Sequence, residues 1–115
     1  MKFWIGVAHF SLHLYDAVSL KDRRQVVRSL SERVKRHFNL STADLGPDGV
    51  WNEADLAVTC CGSSHREMEQ RMDQIVSFME RTEEEGAFEM LSAHREVFSY
   101  GDNYQIGRAS CRERV

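Results

Sequence analysis

The stretch Ser19-Leu20-Lys21-Asp22-Arg23-Arg24-Gln25-Val26-Val27-Arg28-Ser29-Leu30-Ser31-Glu32-Arg33-Val34-Lys35-Arg36-His37-Phe38-Asn39 decides the fold. Ser19 and Asp22 form a capping box: the hydroxyl takes an orphan amide of the first turn, and the carboxylate reaches back toward the chain entering the helix. Leu20, Val27, Leu30, Val34 and Phe38 then recur on one stripe at helical spacing. The pattern predicts a helix from Leu20 to about His37, closed at Phe38-Asn39, where Asn tolerates left-handed backbone.

What flanks this helix supplies the surface it needs. On its N-terminal side, residues 3–14 are rich in β-branched and aromatic types. Gly6, Ala8, Phe10, Leu12 and Leu14 are small or apolar, whereas the alternate set runs from Phe3, Ile5 and Val7 to His9, Ser11 and His13. That is a strand covered on one face and open on the other near its end. On the C-terminal side, residues 40–45 read as a short strand, Gly46-Pro47-Asp48-Gly49 as a turn, and residues 55–61 as a second short strand. Ser64 and Glu67 form another capping box, followed by Met68, Met72, Ile75, Val76 and Met79 on one helical face. The Met-rich stripe is core, because Met fills irregular gaps. Glu83-Glu84-Glu85 places acid at a helix C-terminus, against the macrodipole, which predicts fraying there. Residues 88–98 complete the series as a last strand.

Strand, helix, strand, strand, helix, strand in two similar halves predicts an α+β fold: a ferredoxin-like split β-α-β sandwich, with two helices on one face of an antiparallel four-stranded sheet. The 115 residues, 42% of them hydrophobic, suit one small domain. A net charge of −3 argues against a protein that coats nucleic acid by bulk charge, but leaves room for a local basic patch. Three Cys, two of them adjacent at Cys60 and Cys61, do not make a disulfide framework. The N-terminus lacks a signal-peptide pattern and no stretch approaches the ~18 apolar residues of a membrane span, so the expectation is a cytoplasmic protein without membrane contact.

The end of the chain reads differently. Ile106–Val115 (IGRASCRERV) has neither helical nor strand period. It matches a reading frame of a common sequencing adapter, ATC GGA AGA GCG TCG TGT AGG GAA AGA GTG. We therefore expect a single domain over residues 1–104 and a non-native tail over 105–115. Resequencing the source gene past codon 105 tests this, and recovery of the same tail would refute it.

Ser19-Leu20-Lys21-Asp22-Arg23-Arg24, together with Arg36-His37-Phe38-Asn39-Leu40-Ser41 and Val50-Trp51, resembles the pattern of the bacterial YlxP-like family, domain-of-unknown-function family 503. The resemblance spans about residues 3–98 and implies a ferredoxin-like sandwich. Members of that family are often encoded near genes of translation and ribosome maturation, including that of ribosome-binding factor A. The resemblance carries that neighbourhood and no established activity. The Glu83–Glu85 run and the segment after Phe98 depart from its usual pattern.

Chemistry-bearing residues are few. From Leu20 to Leu40 there are seven Lys and Arg against Asp22 and Glu32. Lys21, Arg24, Arg28, Lys35 and Arg36 share one sector at about 100° per residue, opposite Val27, Leu30 and Val34. Such a row suits phosphates; the plainer reading is a solvated face with local pairs such as Glu32 with Arg36. The segment Ser64–Gly86 is acidic, with seven carboxylates against three Arg, so the molecule is electrically lopsided. His9 and His13 lie ~13 Å apart along a strand, at 3.3 Å per residue, and cannot chelate one ion; a metal would need His94 or another distant group to converge. Cys60 reads as a small buried hydrophobe and Cys61 as its neighbour on the other face, and no His–acid partner for a nucleophile is identifiable. Trp51, beside the turn, reads as a cap on one open end of the core, with partner contact as the alternative. With no Gly-rich phosphate loop, G-x-S-x-G, H-E-x-x-H or C-x-x-C, we expect no enzyme, metal or cofactor. The expected function is a noncatalytic binding protein that touches ribosomal RNA or a ribosomal particle through Lys21, Arg24, Arg28, Lys35 and Arg36. The alternative is a structural homodimer or larger homo-oligomer built on the open sheet face.

Overall fold

The structure, a computed structural model, describes residues 1–101; the expected tail over 105–115 lies outside the described residues. The elements are β1 (Lys2–Leu14), α1 (Leu20–His37), β2 (Ser41–Asp44), β3 (Glu53–Gly62), α2 (His65–Glu83) and β4 (Phe88–Gly101). The strands form one sheet in the order β2-β3-β1-β4, with every neighbouring pair antiparallel. This is the ferredoxin-like βαββαβ sandwich that the periodicity predicts. The longest strands, β1 and β4, run beyond their predicted ends or starts by one to three residues.

Both predicted caps form. Ser19 Oγ accepts from Asp22 N at 3.1 Å, and Asp22 reaches back to accept from Val18 N at 3.2 Å. Ser64 Oγ accepts from Glu67 N at 3.1 Å. The helix α1 leaves through Phe38 in an extended conformation. α1 packs on β2 and β3, and α2 on β1 and β4, all on the same side of the sheet.

Between sheet and helices lies the core: Phe10, Leu12 and Leu14 of β1, Leu56 and Val58 of β3, Val27, Leu30 and Val34 of α1, and Met68, Met72, Ile75 and Met79 of α2. Fully burying one such side chain contributes roughly 1.5–3 kcal/mol. Three members of the predicted stripes are less buried than their spacing implied, Phe38 among them, which is only partly buried at the end of α1. Leu20 stays exposed at the helix entry, where the inward position is filled by Arg23 instead, and Val76 is only partly covered. Phe78 and Thr82 join the core, and the Thr82 hydroxyl donates to Phe78 O at 2.8 Å.

Arg23 is the buried cation that closes one end of the core. Its guanidinium donates two bonds of 2.9 Å to Asp44, one of 2.8 Å to Glu53 O and one of 2.8 Å to Gly46 O. This is why Trp51 is not the predicted cap. The end of the core beside the turn is already filled, and Trp51 stays about half exposed (49%), outside the core cluster.

The helix α2 ends at Glu83, with Glu84 as its C-cap, so Glu85 lies beyond the helix. Glu83 accepts from Met90 N at 2.6 Å, and Glu85 takes a two-pronged grip from Arg33 at 2.8 Å on each oxygen. Acid at this end of α2 opposes the macrodipole, and these bonds give Glu83 and Glu85 partners outside the helix.

Close packing fixes Gly6. A Cβ on Gly6 would lie 2.6 Å from Met72 Sδ and 3.0 Å from Met68 Cε, both fully buried side chains. Gly6→Ala is expected to lower stability by about 1–2 kcal/mol through overpacking, read as a fall in the urea midpoint at unchanged m-value.

Candidate nucleic-acid interface

The seven cations of α1 divide into two sets. Arg23 points inward to Asp44, and Arg33 points sideways to Glu85. The other five, Lys21, Arg24, Arg28, Lys35 and Arg36, are exposed, and none forms an ion pair among the described residues. The expected Glu32–Arg36 pair is not formed. Glu32 is itself exposed and falls within the same sector, so the row consists of two groups, Lys21/Arg24/Arg28 and Lys35/Arg36. At 1.5 Å per residue they extend along roughly 22 Å of helix.

Local physics explains the division. Val27, Leu30 and Val34 must face the sheet, which fixes the rotation of α1. That rotation turns position 23 inward, toward the β2–β3 end, and position 33 toward the α2–β4 connection. Asp44 and Glu85 wait there, each held ionised. Hydrogen bonds from Arg23 push the Asp44 carboxyl below the ordinary carboxylate range, and those from Arg33 do the same for Glu85. The remaining cations face away from the body. Near the N-terminal end of the row, Leu20, Arg24, Asp44, Pro47 and Gly49 line a crevice of about 230 Å³. Trp51 is not among the residues that line it.

The opposite side of the sheet holds an arrangement that sequence reading missed. Asp55 Oδ1 accepts from Ser11 Oγ at 2.6 Å and from His9 Nε2 at 3.0 Å, and these bonds, the Ser11 one foremost, hold its carboxyl below the usual range. His94 stands across from His9, ring centroids 6.5 Å apart. Register alone makes this cluster: β1 pairs with β3 so that Ser11 faces Asp55, and with β4 so that His9 faces His94. No local signal announces a pairing between residues more than forty positions apart. His94 does approach His9, yet no group of three or more His, Cys, Asp or Glu able to hold a metal forms among the described residues.

Cys60 and Cys61 lie as expected. Cys60 is buried beneath α2, its thiol 4.0 Å from Met72 Sδ, and burial raises its pKa; Cys61 is exposed on the other face. Maleimide is expected to modify Cys61 in the native protein and Cys60 only after unfolding, with peptide mapping by mass spectrometry to separate the two.

With this geometry in place, the profile of the family described as "Protein of unknown function (DUF503)" matches residues 5–95. The chain belongs to the DUF503 family. DUF503 residues 5–95 therefore take in both helices and most of the sheet, including the whole cationic row. Among relatives, the chain is 29% identical over 76 residues to "Uncharacterized protein YlxP" of Bacillus subtilis (strain 168), a match covering 66% of this chain and 83% of that protein. Among solved structures, the de novo designed protein Foldit4 aligns with a TM-score of 0.46 at 13% identity, over 87% of this chain and 99% of the designed one. No described helix of this DUF503 chain is long and apolar enough to cross a membrane.

Proposed function

We propose that this DUF503 chain is a noncatalytic RNA-binding protein of the cytoplasm, acting in translation or ribosome maturation, with Lys21, Arg24, Arg28, Lys35 and Arg36 as its phosphate-contacting residues. The observation that carries the reading is the contrast within one helix. Two of its seven cations are paired inside the protein, and five stand exposed, on one side, without a carboxylate partner. Lys35 and Arg36 complement the macrodipole in the last turn of α1, whereas Lys21, Arg24 and Arg28 have no such role; an anionic partner offsets the repulsion within the row and releases its own counterions. The translational setting implied by the family resemblance makes ribosomal RNA the natural partner to try.

The test is a titration of ribosomal RNA fragments against rising KCl, followed by anisotropy or gel shift. If all five cations contact single-stranded phosphates, log K should fall with log salt at a slope of about −3 to −4. Absence of binding at low salt would overturn the reading.

A homo-oligomer built on the open sheet face is the competing reading, supported by exposed Phe3 and Phe98 on that face. Light scattering separates the two. A monomer that shifts with RNA supports the first reading, and a tight dimer indifferent to RNA supports the second.

A further inference from the structure

The open face of the sheet has a charge pattern of its own. It is built from the alternate residues of β1 (Phe3, Ile5, Val7, His9, Ser11, His13) and their partners across β3, β4 and β2. Glu53 and Glu89 flank His13, Asp55 stands opposite Ser11, and Glu96 stands opposite Val7. Glu53, Glu89 and Glu96 are exposed and form no ion pair among the described residues. No described Lys or Arg lies on this face. Those of the strands, Lys2 and Arg95, sit in the register that faces the helices, where Arg95 pairs with Glu69 and Asp73.

The face is also graded along its length. One end is apolar, with Phe3 and Phe98 exposed beside Ile5. The middle holds a depression of about 370 Å³, floored by Ala43 and Ala57 and walled by Val7, His9, Thr59 and His94. The far end carries Glu53, Asp55 and Glu89. From Phe3 to His13 the gradient runs roughly 33 Å at 3.3 Å per residue.

We infer that this face docks an extended segment of another protein, apolar at one end and rich in Lys or Arg at the other, with one bulky side chain seated in the depression over Ala43 and Ala57. Charge complementarity selects that occupant. An RNA strand would meet carboxylates with no described Lys or Arg among them. A second copy placed face to face would set Glu53, Glu89 and Glu96 against a surface that likewise has no described Lys or Arg. The α1 row of another copy is a helix rather than an extended segment, and its exposed apolar side chains, Val18 and Leu20, stand together at its N-terminal end beside Arg24; a second copy docked that way would show as a dimer that Ala57→Tyr dissociates. A basic segment with an aromatic or aliphatic anchor satisfies both ends and the middle, and small pockets that admit one large side chain are where interface energy concentrates. Because this face lies across the sheet from α1, a docked segment and a nucleic acid on α1 would not compete.

The experiment is selection of a random twelve-residue peptide library on the purified protein, followed by anisotropy with the enriched peptides. The expected result is enrichment of peptides that combine one aromatic or large aliphatic residue with two or more Lys or Arg. Affinity should fall at least ~10-fold in Glu53→Lys with Glu89→Lys, and similarly in Ala57→Tyr, which fills the depression. Glu53→Gln with Glu89→Gln is the gentler variant should the charge reversal disturb folding, and it should give a smaller loss in the same direction. Enriched peptides that are neutral or acidic, or affinities unchanged in these folded variants, would overturn the proposal. So would a dimer that Ala57→Tyr dissociates, since a second copy would then be the occupant. Peptide binding should survive Arg24→Glu with Arg28→Glu, so failure of the RNA reading and failure of this one are distinguishable.

Discussion

Reversing two charges on α1, Arg24→Glu with Arg28→Glu, is expected to weaken RNA binding by roughly 100-fold at moderate salt. A charge-assisted hydrogen bond is worth about 1.5–3 kcal/mol; losing two exposed ones at the lower end costs about 3 kcal/mol, which at 1.4 kcal/mol per tenfold is a factor of that order. The salt slope should become shallower by about 1.4 for a single-stranded partner, because two phosphate contacts disappear. Both side chains are exposed and take no part in an ion pair among the described residues, so stability should stay within about 0.5 kcal/mol of the parent. The measurement is the affinity at three salt concentrations beside a thermal melt. Unchanged affinity and slope in a folded double variant would remove the RNA reading outright.

The second large effect concerns stability. Arg23→Met is expected to cost about 2–3 kcal/mol, because it strips Asp44 of both guanidinium bonds and leaves Glu53 O without its donor. The lower part of the range for breaking a buried pair applies, since Asp44 keeps 38% of its side chain in water and retains the bond from Gly46 N. For a domain of about 100 residues the melting temperature should fall by about 10–20 °C. A pH signature accompanies it. The folded Asp44 carboxyl lies below its ordinary value near ~3.9, so the stability it contributes is present above that value and is lost as the pH falls through the folded pKa. The gap between the stability curves of parent and variant should therefore narrow below about pH 4 without closing, because the bonds to Glu53 O and Gly46 O do not titrate. Asp55, lowered mainly by Ser11, adds acid sensitivity of the same sign in both proteins.

Much of the fold was legible because its signals are local. Ser19 with Asp22 and Ser64 with Glu67 mark both helix starts, the Val27–Leu30–Val34 and Met68–Met72–Met79 stripes give the buried faces, and Gly46-Pro47-Asp48-Gly49 separates β2 from β3. The misses came where tertiary partners act beyond local rules. The Glu83–Glu85 run opposes the dipole, and nothing local shows that Arg33, some fifty residues away in sequence, holds Glu85. Trp51 looked like core by residue type, yet Arg23 occupies the end of the core it would have capped. Within α1, periodicity places all seven cations on the wheel but does not reveal that Arg23 and Arg33 have partners, because Asp44 and Glu85 arrive through the sheet and through the α2–β4 connection. The His9–Ser11–Asp55 cluster depended on the β1–β3 register, which emerges only when the sheet assembles.

Arg23 and Arg33 sit on α1 about three turns apart, and each grips its carboxylate with two prongs, one toward the sheet and the other toward the far connection. A rod clasped at two points along its length, by neighbours in different directions, cannot roll about its axis without releasing a clasp. The outward charges thus keep a fixed bearing, like teeth on a locked gear, and whatever meshes with them finds their spacing already set rather than having to arrest a spinning shaft.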